Sequence, residues 1–264
     1  MTDEKMITLG LNKEIFNFWE NDYALSSKKE NYHNYLPGFL TDLKERTLTI
    51  IGCNPSLNKN GYKNCFAGTP YENTDFLETI SRAKNTNFAD NFSSNVQNLH
   101  NIEKHIVNKH QYASTLRKFA NDIGIQDFDN DVTLLDLFFI RDTNQKNIEK
   151  RVRNKDVLTT FATEQIKIMM TALNVTNPDI ILIPNAFASN IFIKANSNKI
   201  SIKQIGELRF FTLDLAKKQV PIFFSSMISG KRALDTFSLQ RLTWDMTNTL
   251  SKIRNGDLDF NIIA

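Results

Sequence analysis

Four short apolar segments, rich in β-branched residues, constrain the fold more than any other feature of the sequence. They are Leu48–Gly52, Val132–Ile140, Ile180–Pro184 and Val220–Phe224, and each has the length of a buried strand. The chain between and around them favours helices near Asn12–Asp22, Asp75–Arg82, Tyr112–Ile123, Thr159–Leu173 and Leu239–Ile253. Strands that alternate with helices predict an α/β fold: a three-layer sandwich with a central, mainly parallel, four-stranded sheet flanked by helices.

The length of 264 residues suits one large domain or two small ones, and we expect a single domain over 1–264. An Asn-rich stretch at about 71–111 interrupts the alternation and is either a helical insertion or a mobile lid. Because ligands of parallel sheets bind beyond the carboxyl ends of the strands, we expect the functional residues to follow the apolar segments.

Charge and cysteine content exclude several classes of protein. Lys and Arg total 32 against 29 for Asp and Glu, so a nucleic-acid partner would need basic residues that are concentrated locally. Cys53 and Cys65 are too few for a disulfide framework or a structural zinc site. The charged N-terminal segment and the lack of any run near 18 apolar residues predict a cytoplasmic protein without a membrane span.

Common catalytic and metal-binding motifs are missing from the sequence. His100, His105 and His110 are five residues apart, which on a helix turns successive rings about 140° from one another and does not converge on a metal. The stretch from Gly52 to Gly61 lacks the Lys-Ser/Thr pair of a phosphate-binding loop. Cys53 follows a strand directly, where a thiol is more often core filler than nucleophile.

The stretch Gly52–Ala67, "GCNPSLNKNGYKNCFA", resembles the first motif of the uracil-DNA glycosylase superfamily, and most closely its mismatch-specific (G:U/G:T) branch. In that branch an Asn positions water and a later aromatic residue stacks on the extruded base. Asn54 and Phe66 match these two positions. "VTLLDLFFIRD" and "NPDIILIPNAFASNIFI" are similar to the strands that follow, so that the resemblance spans about 48–242.

This resemblance implies a monofunctional DNA glycosylase that acts as a monomer on double-stranded DNA with an extruded nucleotide, without a metal or an organic cofactor. Asn54 would orient the attacking water through its amide oxygen, although an amide cannot act as a strong general base. Phe66 would supply a stacking platform worth about 1–3 kcal/mol. The residues alone allow plainer interpretations, in which Asn54 and Pro55 cap a turn and Phe66 belongs to a satellite core.

Asp136 and Ser56 bear on which base is removed, and Cys53, beside Asn54, is assigned to the same base-binding set. Uracil-specific relatives have Asn where Asp136 stands, because an amide can both donate to O4 and accept from N3–H. An ionised carboxylate only accepts, so it repels O4 and favours the N4 amino group of cytosine. Ser56 is small where some relatives have a bulky aromatic residue that excludes C5 substituents. The two together predict a C5-modified cytosine, such as hydroxymethylcytosine or its glucosylated form.

Two features leave the role of Asp136 open. A register shift of one residue would turn the side chain to the other face of the sheet. The carboxylate could also cap local backbone at the strand end.

The last motif of the superfamily is a His-Pro-Ser or Asn-Pro-Ser loop, and "SSMISGKR" at 225–232 is a poor match to it. We expect this segment to contact DNA, with Met227 or Ile228 as a wedge and Lys231 and Arg232 at phosphates. One of three serines would replace the missing base contact: Ser225, Ser226 and Ser229. Lys231 and Arg232 could equally begin an ordinary solvated helix.

Three functional hypotheses follow from the sequence. The first is excision of a modified cytosine, which would fit defence against phage DNA that carries hypermodified bases. The second is excision of uracil or mispaired thymine in base excision repair. The third belongs to another class of protein, a non-catalytic DNA-binding module on the same fold, and the poor last motif favours it.

Overall fold

A computed structural model describes residues 3–18, 37–41, 43–56, 58–75, 78, 80, 91–230 and 233–258. The chain packs as two compact units. The first unit comprises Met1–Asp42, Asn54–Ser114 and Phe138–Ile168, and the second comprises Leu43–Cys53, Thr115–Leu137 and Met169–Ala264. The expectation of a single domain stays a prediction, since packing units do not show how many parts fold independently.

Helices and strands alternate along most of the chain, as the apolar segments predict. In chain order the elements are α1 (Asp3–Asn17), β1 (Leu48–Gly52), α2 (Lys59–Phe66), α3 (Phe92–Lys109), α4 (Gln111–Asp122), α5 (Phe128–Asp131), β2 (Val132–Asp136), α6 (Gln145–Val152), β3 (Arg153–Asn154), β4 (Val157–Leu158), α7 (Thr160–Thr176), β5 (Ile180–Pro184), α8 (Ala186–Ala195), β6 (Ile200–Ile205), β7 (Leu208–Asp214), β8 (Gln219–Ser225) and α9 (Thr236–Arg254).

The second unit contains a six-stranded mixed sheet in the order β2-β1-β5-β8-β7-β6. Its first four strands are mutually parallel, and they are the four that the sequence predicts. All five residues of β5 are buried, and so are the first four residues of β1, which begin with the fully buried Leu48. The core of this unit therefore runs along the parallel strands. Helices α8 and α9 pack on the strands β5, β7 and β8.

The prediction of four strands is wrong, because β6 and β7 extend the sheet as an antiparallel hairpin beyond β8. The chain turns between them at Gly206, whose φ of +60° lies in the left-handed region that glycine adopts readily. Most of β6 is exposed or half-buried, since it forms the edge of the sheet. An edge strand needs no continuous apolar run, which is why the sequence pattern did not reveal it.

The second apolar segment ends as a strand at Asp136 rather than at Ile140. Phe139 lies in the first unit, where its N–H donates to Gln165 Oε1 at 2.8 Å and its carbonyl accepts from Gly38 N at 3.1 Å. These two hydrogen bonds take the place of the bonds that Phe139 would form with a neighbouring strand. The apolar run therefore continues as buried loop rather than as strand, with Phe138 fully buried.

The predicted helices have mixed outcomes. Helices α4, α7 and α9 lie within a few residues of the predicted stretches. Helix α1 begins earlier than predicted, and residues 19–22 of that predicted helix and most of 75–82 lie outside the described residues. Within the Asn-rich stretch, Phe92–Lys109 forms the helix α3, so the described part of that stretch is mainly helical.

Asn12 on α1 fastens a loop of the first unit. Its amide donates to Leu40 O at 2.9 Å and accepts from Leu40 N at 2.8 Å, and the side chain is buried. Nearby in sequence, Gly38 lies so close to Pro55 that an added Cβ would stand 2.5 Å from Pro55 Cγ. Asn12 thus holds the loop that packs on the segment after β1.

Replacing Asn12 with Ala should lower the free energy of unfolding by about 1–3 kcal/mol, because two buried backbone groups of Leu40 lose their partner. Urea unfolding measures the loss. Lys13→Ala, one residue along the same helix and exposed, is the control and should change stability little. Equal effects of the two substitutions would contradict the role given to Asn12.

Candidate functional site

The carboxyl ends of the four parallel strands align at one end of the sheet in the second unit. Asp136 pairs with Gly52, and Pro184 pairs with Ser225. Ile50 pairs with Leu182, which brings Gly52 and Pro184 to the same level. Asp136 and Ser225 therefore lie at the same end of the sheet but three strand spacings, about 14 Å, apart.

Asp136 is a half-buried carboxyl group without a hydrogen bond or an ion pair to any described residue. Its carboxyl lies against the backbone of Gly52, where an added Cβ would stand 2.4 Å from Oδ1. Burial raises the pKa of Asp136 to about 7, since taking the group out of water disfavours its charged form. The interpretation of Asp136 as a backbone cap is not supported, because no backbone N–H of the described residues donates to it.

Cys53 follows Gly52 and is half-buried. Burial, and after it the negative charge of Asp136, raises the pKa of the thiol to about 12. At neutral pH the group is therefore a thiol rather than a thiolate, which makes it a poor nucleophile. Cys53 and Asp136 therefore interact electrostatically within the second unit, and the assignment of Cys53 to base binding stays a prediction.

Asn54 lies in the first unit, and backbone carbonyl groups hold its side-chain nitrogen. The Nδ2 atom donates to Pro55 O at 2.9 Å, Asp142 O at 2.9 Å and Ile140 O at 3.2 Å. Three surrounding acceptors fix which end of the amide is nitrogen, since an oxygen there would face three oxygens. The Oδ1 atom accepts no hydrogen bond from the described part of the chain, so it is left with its lone pairs available.

A second set of bonds fastens the same two segments of the first unit. Asp142 N donates to Pro55 O at 3.1 Å. The buried Arg141, 4% exposed, donates to Tyr62 Oη at 3.2 Å and to Pro37 O at 3.2 Å, and it forms an ion pair with Glu103. We call the segments 54–56 and 140–142, with these bonds, the clasp.

Arg141 is the residue of the clasp that the sequence analysis missed. The available signal was a charged residue directly after a long apolar run, a position that requires compensating partners when it is buried. Its partners come from distant parts of the sequence, and pattern reasoning does not reveal them.

Ser56 is exposed and stands at the end of the first clasp segment. Its hydroxyl oxygen accepts from Asn58 N at 3.1 Å, and its carbonyl accepts from the hydroxyl of Tyr62. The side chain thus turns into its own loop, and its role beside a C5 substituent stays a prediction.

The prediction that Phe66 offers a stacking surface is wrong in this structure, because the ring is 1% exposed. It lies at the end of α2 and stacks on His105, with ring centroids 6.1 Å apart and an interplanar angle of 28°. Tyr71 packs on the same two rings. Tyr62, Cys65 and Phe66 form the buried face of α2, so Phe66 belongs to the satellite core that the sequence also allowed.

The segment after β8 has only part of the predicted character. Ile228 is 5% exposed and Met227 is half-buried, with its carbonyl accepting from Leu234 N at 2.8 Å, so neither projects as a wedge. Ser226 is exposed and Ser229 half-buried, while Ser225 Oγ donates to Ser226 O at 2.9 Å. Lys231 and Arg232 lie outside the described residues.

No family model matches this chain, and no curated protein shows significant similarity to it. Among the described residues no three His, Cys, Asp or Glu side chains form a group that could hold a metal ion. Over the same part of the chain, no helix has the length and apolar character needed to cross a membrane.

Substitutions at Asn54 test the orientation of its amide. Asn54→Ala should lower the free energy of unfolding by about 1–3 kcal/mol, since carbonyl groups lose their donor. Asn54→Asp should cost more at neutral pH, because a carboxylate would face three carbonyl oxygens.

Asn58→Asp is the matched control for these variants, read out by chemical unfolding. Asn58 caps α2 by accepting from Gly61 N at 3.0 Å, a bond that Asp also makes, so its stability should stay near that of the wild type. An Asn54→Asp protein as stable as the wild type would show that Nδ2 does not face the carbonyl groups.

Asp136 should make stability depend on pH. With a pKa near 7 in the folded protein and about 3.8 when unfolded, the unfolded chain ionises first as pH rises. The wild type therefore loses stability between about pH 4 and pH 7, and the contribution is constant outside that window. Asp136→Asn should gain stability relative to the wild type across that window, as unfolding midpoints at several pH values would show.

Asp257→Asn, a substitution of an exposed carboxylate, is the control for this measurement. A constant difference between Asp136→Asn and the wild type from pH 4 to pH 8 would contradict a raised pKa at Asp136.

Proposed function

We propose that this protein is a monofunctional DNA glycosylase that hydrolyses the N-glycosidic bond of an extruded, C5-modified cytosine. The observation that carries the proposal is the amide of Asn54, whose nitrogen is held by three carbonyl groups while its oxygen stays available. A fixed acceptor of this kind can hold and orient one water molecule by accepting a hydrogen bond from it. The resemblance of Gly52–Ala67 to the first motif of the uracil-DNA glycosylase superfamily supports the same role.

The reaction suits an amide because it needs orientation more than it needs base strength. As the bond from C1′ to the base lengthens, positive charge develops on the sugar and the bonding electron pair passes to the base. The water held by Asn54 then adds to C1′ and gives up one proton to solvent, while the departing base anion takes up one proton, which leaves an abasic site and the free base. Positioning and electrostatic stabilisation supply the rate enhancement in such a step.

Asp136 would select the base through its protonation state. As a neutral acid, the carboxyl group can donate to N3 of cytosine and accept from the N4 amino group. As a carboxylate it still accepts from N4 but repels O4 of uracil. A pKa of about 7 gives both forms near neutral pH, so discrimination against uracil should increase as pH rises. Proton donation to N3 would also make the base a better leaving group.

Other parts of the proposal rest on the resemblance. They are the three-layer arrangement of the glycosylase fold, action as a monomer on duplex DNA in the cytoplasm, and a role in defence against phage with hypermodified bases. Ser56, small and exposed at the end of the first clasp segment, is consistent with a C5 substituent. Phe66 has no part in base stacking, because it is buried.

Two other functions remain as candidates. Excision of uracil or mispaired thymine is favoured by the raised pKa of Asp136, since a neutral carboxylic acid can donate to O4 as an amide does. A non-catalytic DNA-binding module is favoured by the bonds of Asn54, which a purely structural side chain would also make.

Base release from matched duplexes decides between these functions. The duplexes carry uracil, thymine opposite guanine, 5-hydroxymethylcytosine or its glucosylated form, and abasic sites are measured after a single turnover at several pH values. We expect release of the modified cytosines, loss of release by at least about 100-fold in Asn54→Ala, and little effect of Asn58→Asp.

Release of uracil alone would reject the assignment of Asp136 to cytosine and support a repair enzyme. No release from any duplex, with DNA binding retained, would leave the non-catalytic module. Release that is unaffected by Asn54→Ala would reject the role given to the clasp.

A further inference from the structure

One short segment of the first unit has a net charge equal to that of the whole chain. Residues 145–158, which form α6 and the hairpin of β3 and β4, carry five Lys and Arg against two Asp and Glu, a net charge of +3. The whole chain also has a net charge of +3, so the positive and negative charges of the remaining residues cancel. We call residues 145–158 the basic segment.

Three lysines of the basic segment are free to meet an external anion. Lys146, Lys150 and Lys155 are exposed, and their ammonium groups have no hydrogen bond or ion pair with any described residue. Arg153, by contrast, pairs with Glu149 and so contributes no uncompensated charge.

Helix α6 presents its lysines away from the core. Ile148 and Val152, four residues apart, are fully buried and anchor one face of the helix. Lys146 and Lys150 are each offset by two residues from this pair, or about 200° around the helix, which places them on the opposite face. The exposed face of α6 is therefore cationic.

The backbone at Lys155 is also unusual. Its φ of 54° lies in the left-handed region, at the turn between β3 and β4, where glycine or asparagine would be accommodated more easily. A lysine at this position gives the turn a charge at the expense of backbone strain.

The position of the basic segment in the chain connects it with the clasp. Helix α6 begins three residues after Asp142, whose carbonyl accepts from Asn54 and whose side chain accepts from Asn144 N at 2.7 Å. Asn144 in turn caps α6 by accepting from Lys146 N at 3.0 Å. A short series of hydrogen bonds thus links the start of the cationic helix to Asn54.

We propose that the basic segment binds the phosphate backbone of nucleic acid through Lys146, Lys150 and Lys155. The proposal rests on the function proposed above, because it supplies the phosphate contacts that a DNA glycosylase needs beside its reactive position. Phosphate contacts from lysines add affinity without reading sequence, so this surface would bind any duplex.

The test measures binding of the full chain to an unmodified, fluorescein-labelled duplex by fluorescence anisotropy over a range of NaCl concentrations. For the triple variant Lys146→Gln, Lys150→Gln, Lys155→Gln, the magnitude of the slope of log K against log salt should fall by about 3, close to one for each lost phosphate contact. The matched control carries three equal charge changes at exposed lysines elsewhere, Lys5→Gln, Lys13→Gln and Lys199→Gln. It should keep the wild-type slope.

A second variant controls for misfolding of the triple variant. Lys155→Gly removes a charge where glycine suits the backbone, so it should be at least as stable as the wild type and yet lower the slope by about one. An unchanged slope in both variants, or an equal fall in the control, would overturn the proposal. Binding to phosphatidylserine vesicles in the absence of DNA binding would also overturn it and would assign the surface to an anionic membrane.

This experiment and the base-release assay fail independently. The duplex carries no substrate base. The expected fall in the salt slope of the lysine variants, together with no base release by the wild type, would therefore reject the glycosylase and keep the phosphate-binding surface. Base release by the wild type together with unchanged slopes in the variants would keep the enzyme and reject the surface.

Discussion

The side-chain nitrogen of Asn54, held by three backbone carbonyl groups, is the interaction on which the candidate site depends. Asn54 follows β1 by two residues, and the accepting carbonyls of Ile140 and Asp142 follow β2 by four and six. Since β1 and β2 are neighbouring parallel strands, one amide fastens the two segments that leave them. The side chain of Arg141 adds hydrogen bonds to Pro37 O and Tyr62 Oη. Both backbone and side-chain groups of the clasp are therefore hydrogen-bonded.

The structural role of Asn54 and the catalytic role proposed for it are compatible, because the same geometry suits both. Donating both amide hydrogens to fixed carbonyl groups turns Oδ1 away from them and fixes its direction. A freely rotating amide would lose orientational entropy on binding water, whereas a held amide has already lost it on folding. The bonds that stabilise the loop therefore also prepare the acceptor. The turn formed by Asn54 and Pro55 is therefore compatible with the proposed function, and the base-release assay separates the two roles.

Buried elements were predictable from sequence where their burial is continuous, and were not where partners come from distant positions. Strands β1 and β5 have the predicted bounds because their apolar runs are short and uniform, whereas β6 alternates at an exposed edge and gave no such signal. The resemblance matched Asn54 and Phe66 to two positions of the motif but did not reveal that the ring is buried. Helical spacing of Tyr62, Cys65 and Phe66 at i, i+3 and i+4 did contain that information, since it describes one face of α2.

Asp136 and Gly52 are best understood as one feature. A carboxyl group that is desolvated without a charged partner among the described residues costs stability, and positions that carry such a cost are candidates for function. Gly52 is required beside it for space rather than for backbone conformation, because a Cβ would meet the carboxyl oxygen. With a pKa near neutral, Asp136 could take its protonation state from the proposed ligand: a base with an acceptor at N3 would stabilise the acid, and a base with only donors would stabilise the carboxylate. An amide at this position has a fixed pattern of donor and acceptor, and only a carboxyl group can adapt in this way.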